Sequence, residues 1–191
     1  MTFKMKFCRF CLKLAGWKIE GEMPEGIHKS VMVVAPHTSY WDAFAGKFVL
    51  GALGARHKML GKKELFTFPL GPFMRMFGIV PIRGIKGVNS ITMAVGLLNE
   101  TKEDLHLVIC PEGGFAPTTN WGMGFLAMAR RAGVPVLWGY VDFGHKKGGI
   151  KGYITDLEDE TTVVETMAKA YDGVIGKYPD RFLLPVPRTR K

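Results

Sequence analysis

The stretch Val31–Phe44, V-M-V-V-A-P-H-T-S-Y-W-D-A-F, constrains this chain more than any other. Val31 to Ala35 is a run of apolar, largely β-branched residues, which suits a buried strand. Pro36 ends it, because proline has no N–H for the ladder and a fixed φ. His37, Thr38, Ser39 and Asp42 follow, and the pattern turns helical from about Tyr40. A strand that stops and delivers His and Asp to the mouth of the next helix is how open α/β sheets place a site beyond their strand ends. His37 reads as a general base and Asp42 as the carboxylate that fixes its tautomer. No Ser or Cys in the stretch is placed as a covalent nucleophile, so direct attack by an acceptor hydroxyl or amine is the simpler scheme.

The rest of the chain alternates strands with helices. Strands are expected at 57–60, 79–82, 104–110, 134–143 and 150–154, the last after a turn at 147–149. Helices are expected at 44–53, 89–98, 121–132 and 161–177, with shorter turns at 62–66 and 73–77 separated by Pro69 and Gly71. This predicts an α/β fold: a single domain with a mixed, largely parallel sheet flanked by helices. At 191 residues the chain can bury a core without disulfides or metals.

The N-terminal segment reads as an amphipathic helix. Phe3, Phe7, Phe10, Leu14 and Trp17 fall at helical spacing, with Lys4, Lys6, Arg9, Lys13 and Lys18 on the polar side. Such a helix suits an anionic membrane surface, and equally suits packing on the domain. The boundaries expected are 1–26 for this helix and its linker, 27–180 for the catalytic domain and 181–191 for a basic, extended, mobile tail.

A formal net charge of +9 calls for an acidic partner: anionic lipid, an acidic carrier protein or nucleic acid. The cations are dispersed and no nucleic-acid motif is present, which argues against the last. No apolar run approaches the length of a membrane span, and charges interrupt every apolar run near the start, against a cleavable signal peptide. Three cysteines without framework spacing suit a reducing compartment, and no metal site is expected.

Two further loops follow strands. Arg83, flanked by apolar residues and Gly84, offers a guanidinium to a phosphate or carboxylate. Pro111-Glu112-Gly113-Gly114 offers glycines that admit close backbone approach, and a carboxylate that could bind an acceptor hydroxyl or anchor the loop.

Taken in order, these blocks resemble the PlsC-like glycerolipid acyltransferases, the HxxxxD acyltransferases. His37 to Asp42 resembles the first block. Lys62-Lys63-Glu64-Leu65 with Gly78 to Arg83 resembles the second, Pro111-Glu112-Gly113 the third, and Val134-Pro135-Val136 the fourth. The resemblance implies transfer of a fatty acyl group from acyl-CoA or acyl-carrier protein to a lysophospholipid hydroxyl, such as that of 1-acyl-glycerol-3-phosphate, without a cofactor. It implies His37 and Asp42 as catalytic residues and Arg83, Glu112, Gly113, Ser39 and Lys62 as substrate-binding, at the cytoplasmic face of a membrane and peripheral to it. Backbone amides near the His37 turn are the expected oxyanion donors. Pro36 stands where many members have Asn, and Gly114-Phe115 where the third block usually continues with Thr and Arg. The missing cation makes a neutral or zwitterionic acceptor, such as lyso-ornithine lipid, the alternative.

Overall fold

The computed structural model describes residues 1–81 and 89–187, and puts the Val31–Ala35 run at the centre of a seven-stranded sheet. Its strands are β1 (Lys18–Glu20), β2 (Lys29–Ala35), β3 (His57–Gly61), β4 (Ile79–Pro81), β5 (Leu105–Ile109), β6 (Val136–Asp142) and β7 (Lys147–Ile154), in the order β1-β7-β6-β2-β5-β3-β4. From β6 through β2, β5 and β3 to β4 every pairing is parallel. β7 runs antiparallel to β6, and β1 pairs parallel to β7. Six helices flank the sheet: α1 (Phe3–Leu14), α2 (Tyr40–Ala52), α3 (Leu70–Met76), α4 (Ser90–Glu100), α5 (Gly124–Ala132) and α6 (Glu160–Tyr171).

β2 is apolar on both faces because both are covered. Val31, Val33 and Ala35 face a core built with α4, α5 and α6. Met32 and Val34 face the opposite core, built with α1 and α2. The chain therefore leaves β2 through α2 on one face, and leaves β5 through α5 on the other. Adjacent parallel strands whose connections depart to opposite faces leave a crevice at their carboxyl ends. His37 follows β2 and Glu112 follows β5, so the crevice opens between them.

Several elements differ from the sequence reading. The strand β1 occupies residues expected to end a helix and begin a linker; its gain is backbone pairing to β7, not apolar burial. β7 begins at Lys147, because the turn lies earlier, where Asp142 accepts the His145 N–H at 2.9 Å. α3 begins at Leu70 and runs through Gly71 and Pro72; proline is tolerated in a first turn. α5 begins only at Gly124, since the buried Trp121 indole instead points its N–H between the Thr118 and Leu183 carbonyls. α6 stops at Tyr171, before Gly173 at φ +72°. Of the tail expected to be mobile, the described residues 182–187 are extended and docked: the Val186 N–H donates to the Thr119 carbonyl at 3.2 Å.

The N-terminal helix does pack on the domain, and by the face the aromatic spacing did not indicate. Cys8 and Leu12 are buried, whereas Phe3, Phe7, Phe10 and Leu14 are more than half exposed. Trp17 lies beyond the helix and meets Phe143 edge-on at 5.0 Å. The reason is volume. α2 presents Gly51 to α1, and a β-carbon there would sit 2.7 Å from Cys8 Sγ, so only small side chains fit between the helices.

Gly51→Ala is expected to destabilise the fold by about 1–3 kcal/mol through overpacking. Cys8→Ala in the same chain should return part of that loss, because it removes the clashing sulfur. Urea unfolding of the two single variants and the double variant measures both effects.

Candidate active site

The site is built from the turn between β2 and α2. Ser39 is the N-cap of α2, so Asp42 falls at its third residue. From there a carboxylate reaches back to the orphan amides of the helix start. Asp42 Oδ2 accepts from the Thr38 N–H at 2.5 Å and the Ser39 N–H at 2.7 Å, and Oδ1 accepts from Ser39 Oγ at 3.0 Å. The interval between His37 and Asp42 is thus the spacing of a capping carboxylate. The cap folds the turn so that His37 Nδ1 faces Asp42 Oδ2 at 3.6 Å, longer than a hydrogen bond.

His37 has an environment that holds it neutral. Burial, and next the Lys62 ammonium, bring its pKa down to about 4. Its contact with Asp42 at pH 7 is therefore made by a neutral ring and is not an ion pair. The side chain keeps 21% of its surface exposed, enough for one edge of the ring to meet a substrate. Burial raises the Asp42 carboxyl, against the pull of the Ser39 and Thr38 hydrogen bonds and of Lys177.

Glu112 comes from the turn after β5 and crosses the crevice. Its Oε1 accepts the His37 N–H at 2.7 Å, while Oε2 is buried without a partner. Burial pushes its pKa up to about 7. Of the two roles open to it, anchoring the loop is the one this geometry serves. Gly113 sits next to it at φ +70°, a left-handed conformation that glycine adopts without strain, and its N–H donates to the Cys110 carbonyl. Lys62, just after β3, reaches the same place: a β-carbon on Gly114 would lie 3.7 Å from its Nζ. His37, Ser39, Asp42, Lys62, Glu112 and Gly113 are thus gathered at one rim. Arg83 lies outside the described residues.

The amides expected to hold an oxyanion are otherwise engaged. The N–H groups of His37, Thr38 and Ser39 all donate to carboxylates, so none is free to stabilise a developing charge. Ser39 is buried, with its hydroxyl donating to Asp42.

Sequence reasoning missed two contributors. The segment after α6 straps the catalytic turn: Tyr178 N–H donates to Thr38 Oγ1 at 3.3 Å, Arg181 Nη1 to the Thr38 carbonyl at 3.4 Å, and Gly176 packs on Thr38 and Pro36. Phe115 lies against the imidazole, ring centroids 4.8 Å apart. No local pattern could reveal a partner some 140 positions away. A concavity of about 610 Å³ at the opposite end of the sheet, beside His28 and Asp104, carries none of this chemistry.

The site places a neutral imidazole at the crevice of an open α/β sheet, with one carboxylate facing the ring and another holding its peptide. The model of the Acyltransferase family matches residues 18–137, and the chain belongs to that family. Its fold is similar to the crystal structure of the 1-acyl-sn-glycerophosphate (LPA) acyltransferase, PlsC, from Thermotoga maritima, with a TM-score of 0.56 at 18% identity over 89% of this chain and 75% of that one. No curated protein sequence matches the chain.

If Glu112 acts by accepting the His37 N–H, Glu112→Gln keeps an acceptor there and Glu112→Ala does not. Gln should retain most activity and Ala should lose it. Because the folded pKa of about 7 exceeds the unfolded value, native protein binds the extra proton between them. The stabilisation from neutral Glu112 is full below the unfolded pKa and is lost as pH rises through about 7. Unfolding free energies across pH 4 to 8 should show that decline in the wild type and its absence in Glu112→Gln.

Proposed function

We propose that this acyltransferase moves a fatty acyl group from an acyl thioester, acyl-carrier protein or acyl-CoA, to the hydroxyl of a lysophospholipid such as 1-acyl-glycerol-3-phosphate. The observation that carries the reading is the His37 imidazole, kept neutral by burial and left with one accessible edge. With Nδ1 turned to Asp42, Nε2 takes the acceptor's proton as the acceptor oxygen bonds to the thioester carbonyl. The C–S bond then breaks and the departing thiolate receives that proton, leaving ester and free thiol. Asp42 favours the imidazolium formed in between; its contact with Nδ1 shortens as charge develops. Lys62 supplies positive charge at the rim, to the acceptor's phosphate or to the thioester oxygen, with no cofactor required.

The surroundings suit a lipid substrate. An aromatic row runs from the catalytic turn to α3: Trp41 to Phe44 at 5.8 Å, Phe44 to Phe77 at 4.7 Å, Phe73 to Phe77 at 5.1 Å. It offers an acyl chain apolar contact beside the base. The outward phenylalanines of α1 stand among lysines and arginine, a combination that suits peripheral attachment to an anionic bilayer on its cytoplasmic face. Among the described residues no helix is long and apolar enough to cross a membrane. A second reading keeps the chemistry and changes the acceptor. The segment from Gly113 to Asn120 contains no cation, which favours an amino-acid-derived acceptor such as lyso-ornithine lipid.

His37→Ala is expected to abolish thiol release from palmitoyl-carrier protein or palmitoyl-CoA in the presence of acceptor, with an unchanged circular dichroism spectrum. Product masses from a panel of lysophospholipids and amino-acid lipids choose between the two acceptors. In the wild type the acid limb of kcat/KM should fall near pH 4, since the base must be unprotonated, and not near the ordinary histidine value of about 6.5. Replacing Phe3, Phe7 and Phe10 together by Ala should weaken binding to anionic vesicles while leaving the melting temperature nearly unchanged. A large fall in melting temperature with intact vesicle binding would refute the membrane role of that face.

A further inference from the structure

A base strong enough to activate an alcohol in this site is strong enough to activate water, whose pKa of about 15.7 is close to that of an ordinary alcohol. Chemistry at His37 cannot distinguish the two, so transfer without waste depends on keeping water from the ring. The imidazole is enclosed from several sides by groups already engaged. Asp42 stands beside Nδ1 from α2, Glu112 holds the peptide from the turn after β5, and Lys62 approaches from the end of β3. What lies against the ring itself is Phe115.

Phe115 sits 4.8 Å from the His37 ring at a 55° tilt. Tyr40, the first residue of α2, stands edge-on to Phe115, also at 4.8 Å and at 84°. Phe115 belongs to neither hydrophobic core. It is carried on an irregular segment whose base is pinned on both sides of the residue, by Gly113 N–H to the Cys110 carbonyl and Gly122 N–H to the Pro111 carbonyl. A large apolar ring outside the core, held over a catalytic imidazole and braced by a second aromatic ring, is placed to exclude solvent and not to stabilise the fold.

We infer that Phe115, braced by Tyr40, is the water-excluding cover of His37, and that it determines how an acyl thioester partitions between transfer to an alcohol and hydrolysis. The inference rests on the acyl-transfer reading above. Without the cover, water yields its proton to His37 as its oxygen bonds to the thioester carbonyl. The C–S bond breaks, the thiolate takes the proton, and the products are free fatty acid and thiol. Phe115 is a positioning residue, acting on what reaches the base.

The test compares the full-length wild type with Phe115→Ala and Phe115→Leu, in two arms. Hydrogen–deuterium exchange at the imidazole C2 position, followed by mass spectrometry across pH, reads the cover without any substrate. The wild-type midpoint for His37 is expected near 4, and Phe115→Ala should move it upward towards the ordinary value, with Leu between. In the second arm, palmitoyl-CoA is supplied with and without 1-acyl-glycerol-3-phosphate, and free palmitate is measured against acylated product. Phe115→Ala should raise the palmitate-to-product ratio by roughly tenfold, a difference of about 1.4 kcal/mol between competing barriers. An unmoved His37 midpoint in both variants would show that Phe115 is no cover. A moved midpoint with an unchanged ratio would overturn its role in partitioning. If the wild type consumes no thioester under any condition, the acyl-transfer reading falls and the partitioning role with it, while the exchange arm still decides whether Phe115 shields the ring.

Discussion

The Asp42 carboxylate, holding the amides of Thr38 and Ser39, is the interaction on which the rest of the site depends. A helix start leaves its first amides without intrahelical partners, and its dipole favours negative charge there. Asp42 satisfies both needs, and in doing so bends the chain between β2 and α2 into the one shape that aims the imidazole at the crevice. The residue that faces the imidazole is therefore also the residue that positions it. A carboxylate with this double duty cannot be exchanged for a neutral hydrogen-bond acceptor without changing the electrostatics of the base, nor moved by one residue without losing the turn.

A second carboxylate works at the same turn under different electrostatics. Asp42 is held by three hydrogen bonds within its own loop, whereas Glu112 crosses from another strand, accepts one amide, and has its remaining oxygen buried without a partner. The poorer solvation of Glu112 raises its pKa to about 7. The consequence is a site in which the loops after β2 and β5 are linked through the His37 peptide. Closing the turn from a third side, the strap after α6 contributes a hydroxyl partner and a guanidinium to Thr38. Asp42 from within the loop and two segments distant in sequence thus hold a turn of a few residues.

The layer formed by α1, α2 and α3 gives the domain two unlike surfaces. Small residues let α1 settle closely on α2, which leaves its aromatic side chains outward among cations. Phe68, Leu70 and Met76 are also exposed, around α3 at the far end of the aromatic row that begins at Trp41. Exposed apolar side chains set among cations make this layer a surface suited to apolar, anionic partners.

Much of this was legible in the sequence, for physical reasons that can be named. Apolar β-branched runs ending in Pro or Gly marked the central strands, because a strand covered on both faces has no room for polar residues. The interval from His37 to Asp42 marked a turn that brings the carboxylate back towards the imidazole, and the structure shows that helix capping shapes it. Periodicity misled at α1: it identified a helix and an aromatic stripe, but which stripe is buried depends on the volume its neighbour leaves free, and Gly51 leaves room for Cys8 on the face that is buried with Leu12. The sequence by itself determined the alternation of strands and helices, the imidazole, and the acid that frames it, since each follows from local backbone chemistry. The tertiary structure alone decided that Glu112 would hold the His37 peptide and that Phe115 would lie on its ring. Those are contacts between segments distant in the chain, set by strand order and by the opposite faces to which the chain departs from β2 and β5.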